Sequence, residues 1–264
     1  MTKKYNYPSI AYPGGKSRVA KKIIKEMPPH KIYIEPFAGA AHVFFKKEKA
    51  DKNILNDKNK ELIKFFRDIK NKKVCCDISA NKKKFLKLRK KKNKSVCEHV
   101  YVNRNSYGGR DTFGGTSSYG YHEKKNRKGK KSCIDGTKLK NTKLTTKDYR
   151  KIIREMDSKE ALFYVDPPYV KANEKECLYG KGNCEVTPED VAKSLRKIKG
   201  KAIISYDDHP DVRRAFRGFK IEKLDVPYTL RQNENGKSQG VKRELLIKNY
   251  TCKLTKDRKI CKKV

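Results

Sequence analysis

Two short runs of β-branched and apolar residues, KIYIEP over residues 31–36 and KNILND over 52–57, end in turn-forming or acidic residues, and each gives way to a stretch of helical character. Strand followed by helix followed by strand is the mark of a βαβ unit, so the first third of the chain predicts a parallel sheet with helices laid on it. Residues 40–49, between the two runs, have helical composition, and beyond the second run Leu62, Phe66 and Ile69 fall on one helical face. A lead-in helix at about residues 16–26 carries Val19 and Ile23 on one face and stops before Pro28 and Pro29. The same rhythm returns at ALFYVDPPY (161–169), an apolar strand running into a Pro-Pro turn. Thr187-Pro188-Glu189-Asp190 then supplies an N-cap, a proline at the first helical position and an acid three residues after the cap. The helix it starts buries Val191, Leu195 and Ile198, and KAIISYDD (201–208) is the next strand. FKIEKLDV (219–226) and VKRELLIKN (241–249), joined by a polar linker, predict an antiparallel hairpin at the edge of an otherwise parallel sheet.

Residues 71–149 break this rhythm. Lysine runs at 82–84 and 90–92, a Gly-, Ser-, Asn- and aromatic-rich stretch at 101–122 and a basic stretch at 123–131 carry no strand or helix period. A chain of 264 residues suits one large domain, so we expect a single core formed by residues 1–70 and 150–264 that carries 71–149 as an inserted functional module.

The 68 Lys and Arg against 30 Asp and Glu leave a net charge of +38. A polyanion is the natural partner, because each phosphate neutralised by a cation releases condensed counterions. The plain alternative is that the lysines reflect a skewed coding composition. With 36% hydrophobic residues and 25 Phe and Tyr, the chain still has the means to form a core. No apolar run reaches the roughly 18 residues of a membrane helix, and MTKKYNYP lacks a hydrophobic signal core, so the expectation is a soluble intracellular protein that is not secreted. On that basis the eight cysteines are expected to be free thiols in a reducing compartment. Without a C-x-x-C pair no metal site is expected.

Four segments carry chemistry. Tyr12-Pro13-Gly14-Gly15-Lys16 is a glycine turn opening a helix. Glu35-Pro36-Phe37-Ala38-Gly39-Ala40 stands where a strand hands over to a helix, and glycine there lets the backbone approach a ligand at the carboxyl edge of a sheet. Asn56-Asp57 closes the next strand. An acid at that point is placed to hold ribose hydroxyls, although it could equally cap a helix. The fourth segment, Asp166-Pro167-Pro168-Tyr169, is the most informative. Prolines donate no backbone hydrogen bond and stiffen the chain, so the Asp166 carboxylate and the Pro167 carbonyl become fixed acceptors suited to a planar amino group. Tyr169 can stack on an aromatic ring, as enzymes acting on flipped-out bases require.

YPGGK, EPFAGA, ND and DPPY, in that order, resemble the Dam-like adenine DNA methyltransferases, the alpha group of amino-methylating enzymes, from about residue 8 to residue 250. The resemblance implies a Rossmann-like S-adenosylmethionine-dependent methyltransferase fold with an inserted target-recognition region. It implies that Tyr12, Lys16, Glu35, Phe37, Gly39, Asp57 and Asp166 contact the cofactor, and that Asp166, Pro167 and Tyr169 form the catalytic site. YVNRNSYGGR (101–110) resembles the start of the recognition region. Within this insertion Arg104 and Arg110 suit guanine edges, Asn103 and Asn105 suit adenine edges, and Tyr107 and Phe113 suit stacking or wedging. Lys124, Lys125, Arg127 and Lys128 suit phosphates. Gly108 and Thr112 depart from the closest family patterns, so the target sequence is not carried over.

The expected reaction is direct in-line methyl transfer from S-adenosylmethionine to the exocyclic amine of a flipped adenine in duplex DNA, without a covalent enzyme intermediate. The expected partner is double-stranded DNA, with no membrane. A cognate restriction endonuclease acting on the same site is an optional second partner, and the protein is expected to be a monomer. Other readings are methylation of the cytosine amine or of RNA, and a catalytically silent DNA-binding protein on the same fold. An intact Lys16, Asp57 and DPPY set speaks against the last, because a binding module needs none of them.

Overall fold

The structure is a computed structural model that describes residues 10–12, 14–106, 112–113, 130–169, 186–227, 241–255 and 259–264. The first part of the chain runs α1 (Ala20–Glu26), β1 (Ile32–Glu35), α2 (His42–Lys46), β2 (Lys52–Asn56), α3 (Lys60–Ile69), β3 (Lys73–Asp77), α4 (Lys82–Lys90) and α5 (Val96–Asn105). It continues through β4 (Lys131–Asp135), β5 (Thr142–Thr145), α6 (Tyr149–Met156), β6 (Ala161–Val165), α7 (Pro188–Arg196), β7 (Lys201–Asp207) and α8 (Pro210–Ala215). Strands β8 (Lys220–Pro227), β9 (Val241–Lys248), β10 (Tyr250–Leu254) and β11 (Lys259–Lys263) follow.

Seven strands form one sheet in the order β5-β2-β1-β6-β7-β9-β8. The first five are parallel, with registers such as Ile34 opposite Ile54 and Ile34 opposite Phe163, while β9 runs antiparallel to both β7 and β8. This is the α/β architecture expected, edge hairpin included. The chain leaves β1 outward through β2 and returns through β6 on the other side of β1. That reversal opens a crevice at the carboxyl edge of the sheet.

Alternate side chains of each strand feed two separate cores. Tyr33, Leu55, Leu162 and Ile203 pack with Val19, Ile23, Leu62 and Phe66 on one face, and Ile34, Ile54, Phe163, Val165 and Ile204 pack with Ile152, Val191, Leu195 and Val212 on the other. Helix starts follow local chemistry. The Thr187 hydroxyl accepts from the Asp190 amide at 3.1 Å with Pro188 in the first turn, the Asn59 side chain accepts from the Leu62 amide, and Ser95 and Glu98 complete a reciprocal capping box.

The inserted region has its own small architecture. β3 pairs antiparallel with β4, and α4 and α5 enclose a four-residue cluster of Phe85, Leu88, Tyr101 and Val102. β5 falls inside the span assigned to the insertion, yet it pairs parallel with β2 at the edge of the main sheet. Its sequence, Thr-Lys-Leu-Thr, is too short and polar to announce a strand.

The free-thiol expectation is overturned. Cys75 is bonded to Cys133, Cys76 to Cys97, and Cys252 to Cys261. Strand register accounts for two of them, because Cys75 lies opposite Cys133 and Cys252 opposite Cys261 in antiparallel ladders. Cysteine count and compartment carry no information about that register. Cys177 and Cys184 lie outside the described residues.

Candidate active site

The crevice beside β1 is a cavity lined chiefly from five directions: Tyr12 and Gly14 to Lys16 before α1, Glu35 to Val43 after β1, Asn56 to Lys58 after β2, Lys147 to Arg150 after β5, and Tyr164, Asp166 and Pro168 at the end of β6. Three of the four motifs therefore converge at one sheet edge, joined by the glycine turn.

The turn after β1 is built on Glu35. Its Oε1 accepts from the Tyr33 hydroxyl at 2.7 Å and from the Phe44 amide at 2.9 Å, which pins α2 against the strand end. Glu35 is 1% exposed, and burial pushes its carboxyl up to about 8. Gly39 takes a φ of 47°, and a Cβ there would crowd the Tyr12 ring at 3.3 Å, so glycine is favoured here by both backbone and space. The Gly39 amide donates to Asp57 Oδ2 at 2.9 Å, and the Asn59 amide donates to Asp57 Oδ1 at 2.9 Å. Asn59, not Asp57, caps α3. Asp57 thus belongs to the cavity wall, where desolvation raises its carboxyl above the ordinary range.

Asn56 has a role the sequence did not disclose. Its amide donates to the Pro36 and Lys147 carbonyls and accepts from the Thr145 hydroxyl and the Lys147 amide, all at 2.6–2.9 Å. One buried side chain therefore clamps the carboxyl ends of β1, β2 and β5. Phe37 packs on Tyr149 with ring centroids 4.8 Å apart, giving the cavity an aromatic wall. His42, missed in the sequence, also lines the cavity; burial and the nearby Lys46 and Lys16 hold its imidazole down to about 4.

Asp166 is the best-held group in the site. Lys16 Nζ lies 2.9 Å from its Oδ1, the Ser205 hydroxyl donates to the same oxygen at 2.8 Å, and the Tyr169 hydroxyl stands 3.3 Å from it. Ser205 is in turn bonded to the Tyr164 hydroxyl. Lys16 is 5% exposed, donates to the Gly14 carbonyl at 2.7 Å, and stands 4.7 Å over the Tyr169 ring. Glu244 of β9 completes the group, accepting from the Tyr169 hydroxyl at 2.9 Å and lying 3.8 Å from Lys16. Tyr169 also stacks on Tyr206, whose hydroxyl donates to the Pro168 carbonyl. Ser205 and Glu244 gave no signal in sequence beyond lying in predicted strands, since only the parallel and antiparallel neighbours of β6 and β7 bring them to Asp166.

The residues expected to read DNA divide. Asn105 is fully buried, with its amide donating to the Tyr101 and Ile78 carbonyls. The Asn103 amide both donates to and accepts from the Ala11 backbone, fixing the segment that carries Tyr12. Phe113, at φ 61°, is buried against Phe65 and stacked on His99. These three side chains are spent within the fold, and base contact by them is not carried forward. Arg104 is half-buried and donates to the Ser132 hydroxyl at 3.3 Å. Tyr107, Arg110, Lys124, Lys125, Arg127 and Lys128 lie outside the described residues.

Two curated relatives are similar along most of their length. The DNA adenine methylase of Haemophilus influenzae is 25% identical, with 86% of this chain and 88% of the relative covered. That of Vibrio cholerae serotype O1 is 22% identical, covering 87% and 92%. Residues 12–230, which contain the glycine turn, the β1 and β2 carboxyl ends and the Asp166 segment, match the family of D12 class N6 adenine-specific DNA methyltransferases. A match over so much of the chain, on a sheet whose carboxyl edge gathers those segments around one cavity, makes the protein a member of that enzyme family.

Proposed function

We propose that the protein transfers a methyl group from S-adenosylmethionine to the exocyclic amine of an adenine flipped out of duplex DNA, in one in-line step. The observation that carries this reading is the loading of a single oxygen: Lys16 and the Ser205 hydroxyl both bind Asp166 Oδ1, and the Tyr169 hydroxyl, which donates its proton to Glu244 at the shorter distance, stands 3.3 Å from the same oxygen. Oδ2 is thereby left as the oxygen available to a planar amino group, and the backbone carbonyl of the next residue, Pro167, is the second acceptor of this proposal. Hydrogen bonds from the amine to these two acceptors draw its lone pair out of conjugation with the ring and aim it into the cavity. S-adenosylmethionine bound in the cavity would supply the methyl group: the N–C bond would form as the S–C bond breaks, and the methylated amine would release its extra proton to solvent, leaving methyladenine and S-adenosylhomocysteine. Positioning and electrostatics supply the acceleration, and no covalent intermediate on the protein is required.

The cavity fits the proposed cofactor. Asp57, fixed by two backbone amides, is the ribose acid; the Phe37 and Tyr149 wall suits a purine ring; and Gly39, with no Cβ, allows close approach. Bound there, S-adenosylmethionine supplies the electrophilic methyl group. Tyr12 and Glu35 shape the same cavity, and Lys16 acts on Asp166 as much as on a ligand.

Arg104, Tyr107 and Arg110 are proposed to read the target and Lys124, Lys125, Arg127 and Lys128 to hold phosphates. The reading includes a monomer acting inside the cell, in the cytoplasm or in the nucleus of a virus-infected host, with a restriction endonuclease of the same site as an optional partner. No helix among the described residues is long and apolar enough to cross a membrane. Nucleoside mass analysis and methylation-aware sequencing of DNA from expressing cells test the proposal: N6-methyladenine within a short fixed sequence is expected. Methylcytosine, methylated RNA, or no modified base overturns it.

A further inference from the structure

A second concavity lies on the outer side of α3, walled by Lys60, Glu61 and Lys64 on one side and by Arg89 to Lys94 and His99 on the other. Seven of these ten residues are cations, and Glu61 is the one acid. Some of the charge is already answered: Lys64 pairs with Asp68 at 2.6 Å, Lys91 with Glu98 at 2.7 Å, and Lys94 lies 3.8 Å from Glu61. Lys60, Lys90 and Lys92 are exposed and have no acidic partner among the described residues. Helix stability does not account for Lys60, since it stands in the first turn of α3, where a cation opposes the helix dipole.

The location matters as much as the charge. Lys58 lines the cofactor cavity and Lys60 lines this groove, with only Asn59 between them. The Asn59 side chain donates to the Phe113 carbonyl at 2.8 Å, and Phe113 stacks on His99 at the groove wall with ring centroids 4.8 Å apart. Cavity, groove and the described foothold of the recognition segment thus meet around one asparagine.

We propose that this groove is a backbone anchor for the DNA substrate: Lys60, Lys90 and Lys92 hold phosphates flanking the target base and contribute affinity without reading sequence. The assignment rests on the DNA methyltransferase reading above. It accounts for unpaired cations beside the cavity and for a foothold of the recognition segment that shares a wall with them.

The test compares two triple variants of equal charge. Lys60→Gln/Lys90→Gln/Lys92→Gln removes the groove cations. Lys159→Gln/Lys197→Gln/Lys199→Gln removes three exposed lysines beside the segments entering β6 and β7, at the opposite edge of the sheet. Binding to a long duplex is measured across a salt series. The groove variant is expected to lower the slope of log affinity against log salt by about 2–3, at close to 0.9 per lost phosphate contact, and the control by much less. The arginine triple at 60, 90 and 92 should restore the slope, while S-adenosylhomocysteine affinity, methylated sequence and turnover at saturating DNA stay unchanged in all three. Equal slope changes in both glutamine variants would show a compositional charge effect and overturn the anchor. So would a loss of turnover at saturating DNA, which would make the groove part of the fold, or a loss of affinity for RNA with the duplex slope unchanged. Absence of methyladenine with the unaltered protein would instead remove the function itself, whatever the slopes show.

Discussion

Strands β1, β6 and β7 are buried along nearly their whole length, and their side chains feed two extended apolar cores, one on each sheet face. The insertion that contains β3, β4, α4 and α5 has only a four-residue cluster of its own, lends Cys76, Ile78, Val100 and Ile134 to one of those cores, and exposes two or more residues on each of its strands. At about 1.5–3 kcal/mol for each large apolar side chain taken from water, such a cluster offsets little of the entropy of ordering the segment. Two disulfides add to this, Cys75–Cys133 on the exposed side of the β3–β4 ladder and Cys76–Cys97 between β3 and α5. The difference teaches a division of labour. The Asp166 site sits on the part held by packing alone, and the proposed DNA contacts fall on the part that adds covalent staples to its packing and is docked through Asn103 and Phe113.

The comparison breaks most visibly at Asp166. Asp166→Ala should lower methyl transfer by at least about 10²–10³-fold, the scale for losing one preorganised electrostatic partner in an active site. Salt-dependent DNA retention, carried by lysines elsewhere, should survive on the same preparation. Joint loss of both would mean that Asp166 supports the fold. The next largest effect lies in the insertion. Cys75→Ser/Cys133→Ser opens a loop with a sequence separation of 58 residues, and should cost the insertion about 4 kcal/mol. Hydrogen exchange should quicken in β3, β4 and α5 while β1 and β6 stay protected. Equal loss of protection in the central strands would erase the distinction between the two regions.

Smaller effects refine the packed region. Asp57→Ala should weaken S-adenosylhomocysteine binding by about 1.5–3 kcal/mol, the value of hydrogen bonds to a charged group; calorimetry showing an unchanged dissociation constant would reduce Asp57 to a prop for the Gly39 turn. Glu35 supplies a test by pH. Its carboxyl stays protonated in the fold up to about 8, whereas in the unfolded chain it ionises near the ordinary 4.5. Between those values the folded state binds more protons, so stability falls as pH rises and levels off above about 8, with a slope of at most about 1.4 kcal/mol per pH unit. Glu35→Gln should flatten that fall in thermal unfolding followed from pH 5 to pH 8.

Much of the packed region was legible because its signals are local. The β1, β2, β6 and β7 runs, the Thr187 cap and the edge hairpin depend on short patterns, and the three strand-end motifs arrive together because parallel strands share one carboxyl edge. What escaped depends on contacts distant in sequence. β5 is a polar strand paired with β2, Asn56 acquires its role from Thr145 and Lys147, and Ser205 reaches Asp166, and Glu244 reaches Tyr169 and Lys16, across strand neighbours. Asn103 and Asn105 looked like base readers because their chemistry suits it, and only burial revealed that backbone groups had claimed their amides. The disulfides were lost for the same reason: a cysteine's partner is set by ladder register.

The position of β9 bears on the order in which a newly made chain becomes active. β9 fills the place between β7 and β8, although β8 precedes it in sequence. During synthesis β8 therefore has no place in the sheet until residues 241–248 have left the ribosome, and β7 keeps an open edge until then. Glu244 arrives with the same strand, so the surroundings of Lys16 and Tyr169 are completed only then. A nascent chain can hold the Gly39 turn and the β3–β4 insertion before the surroundings of Asp166 are complete, which would delay methyl transfer until the sheet is closed.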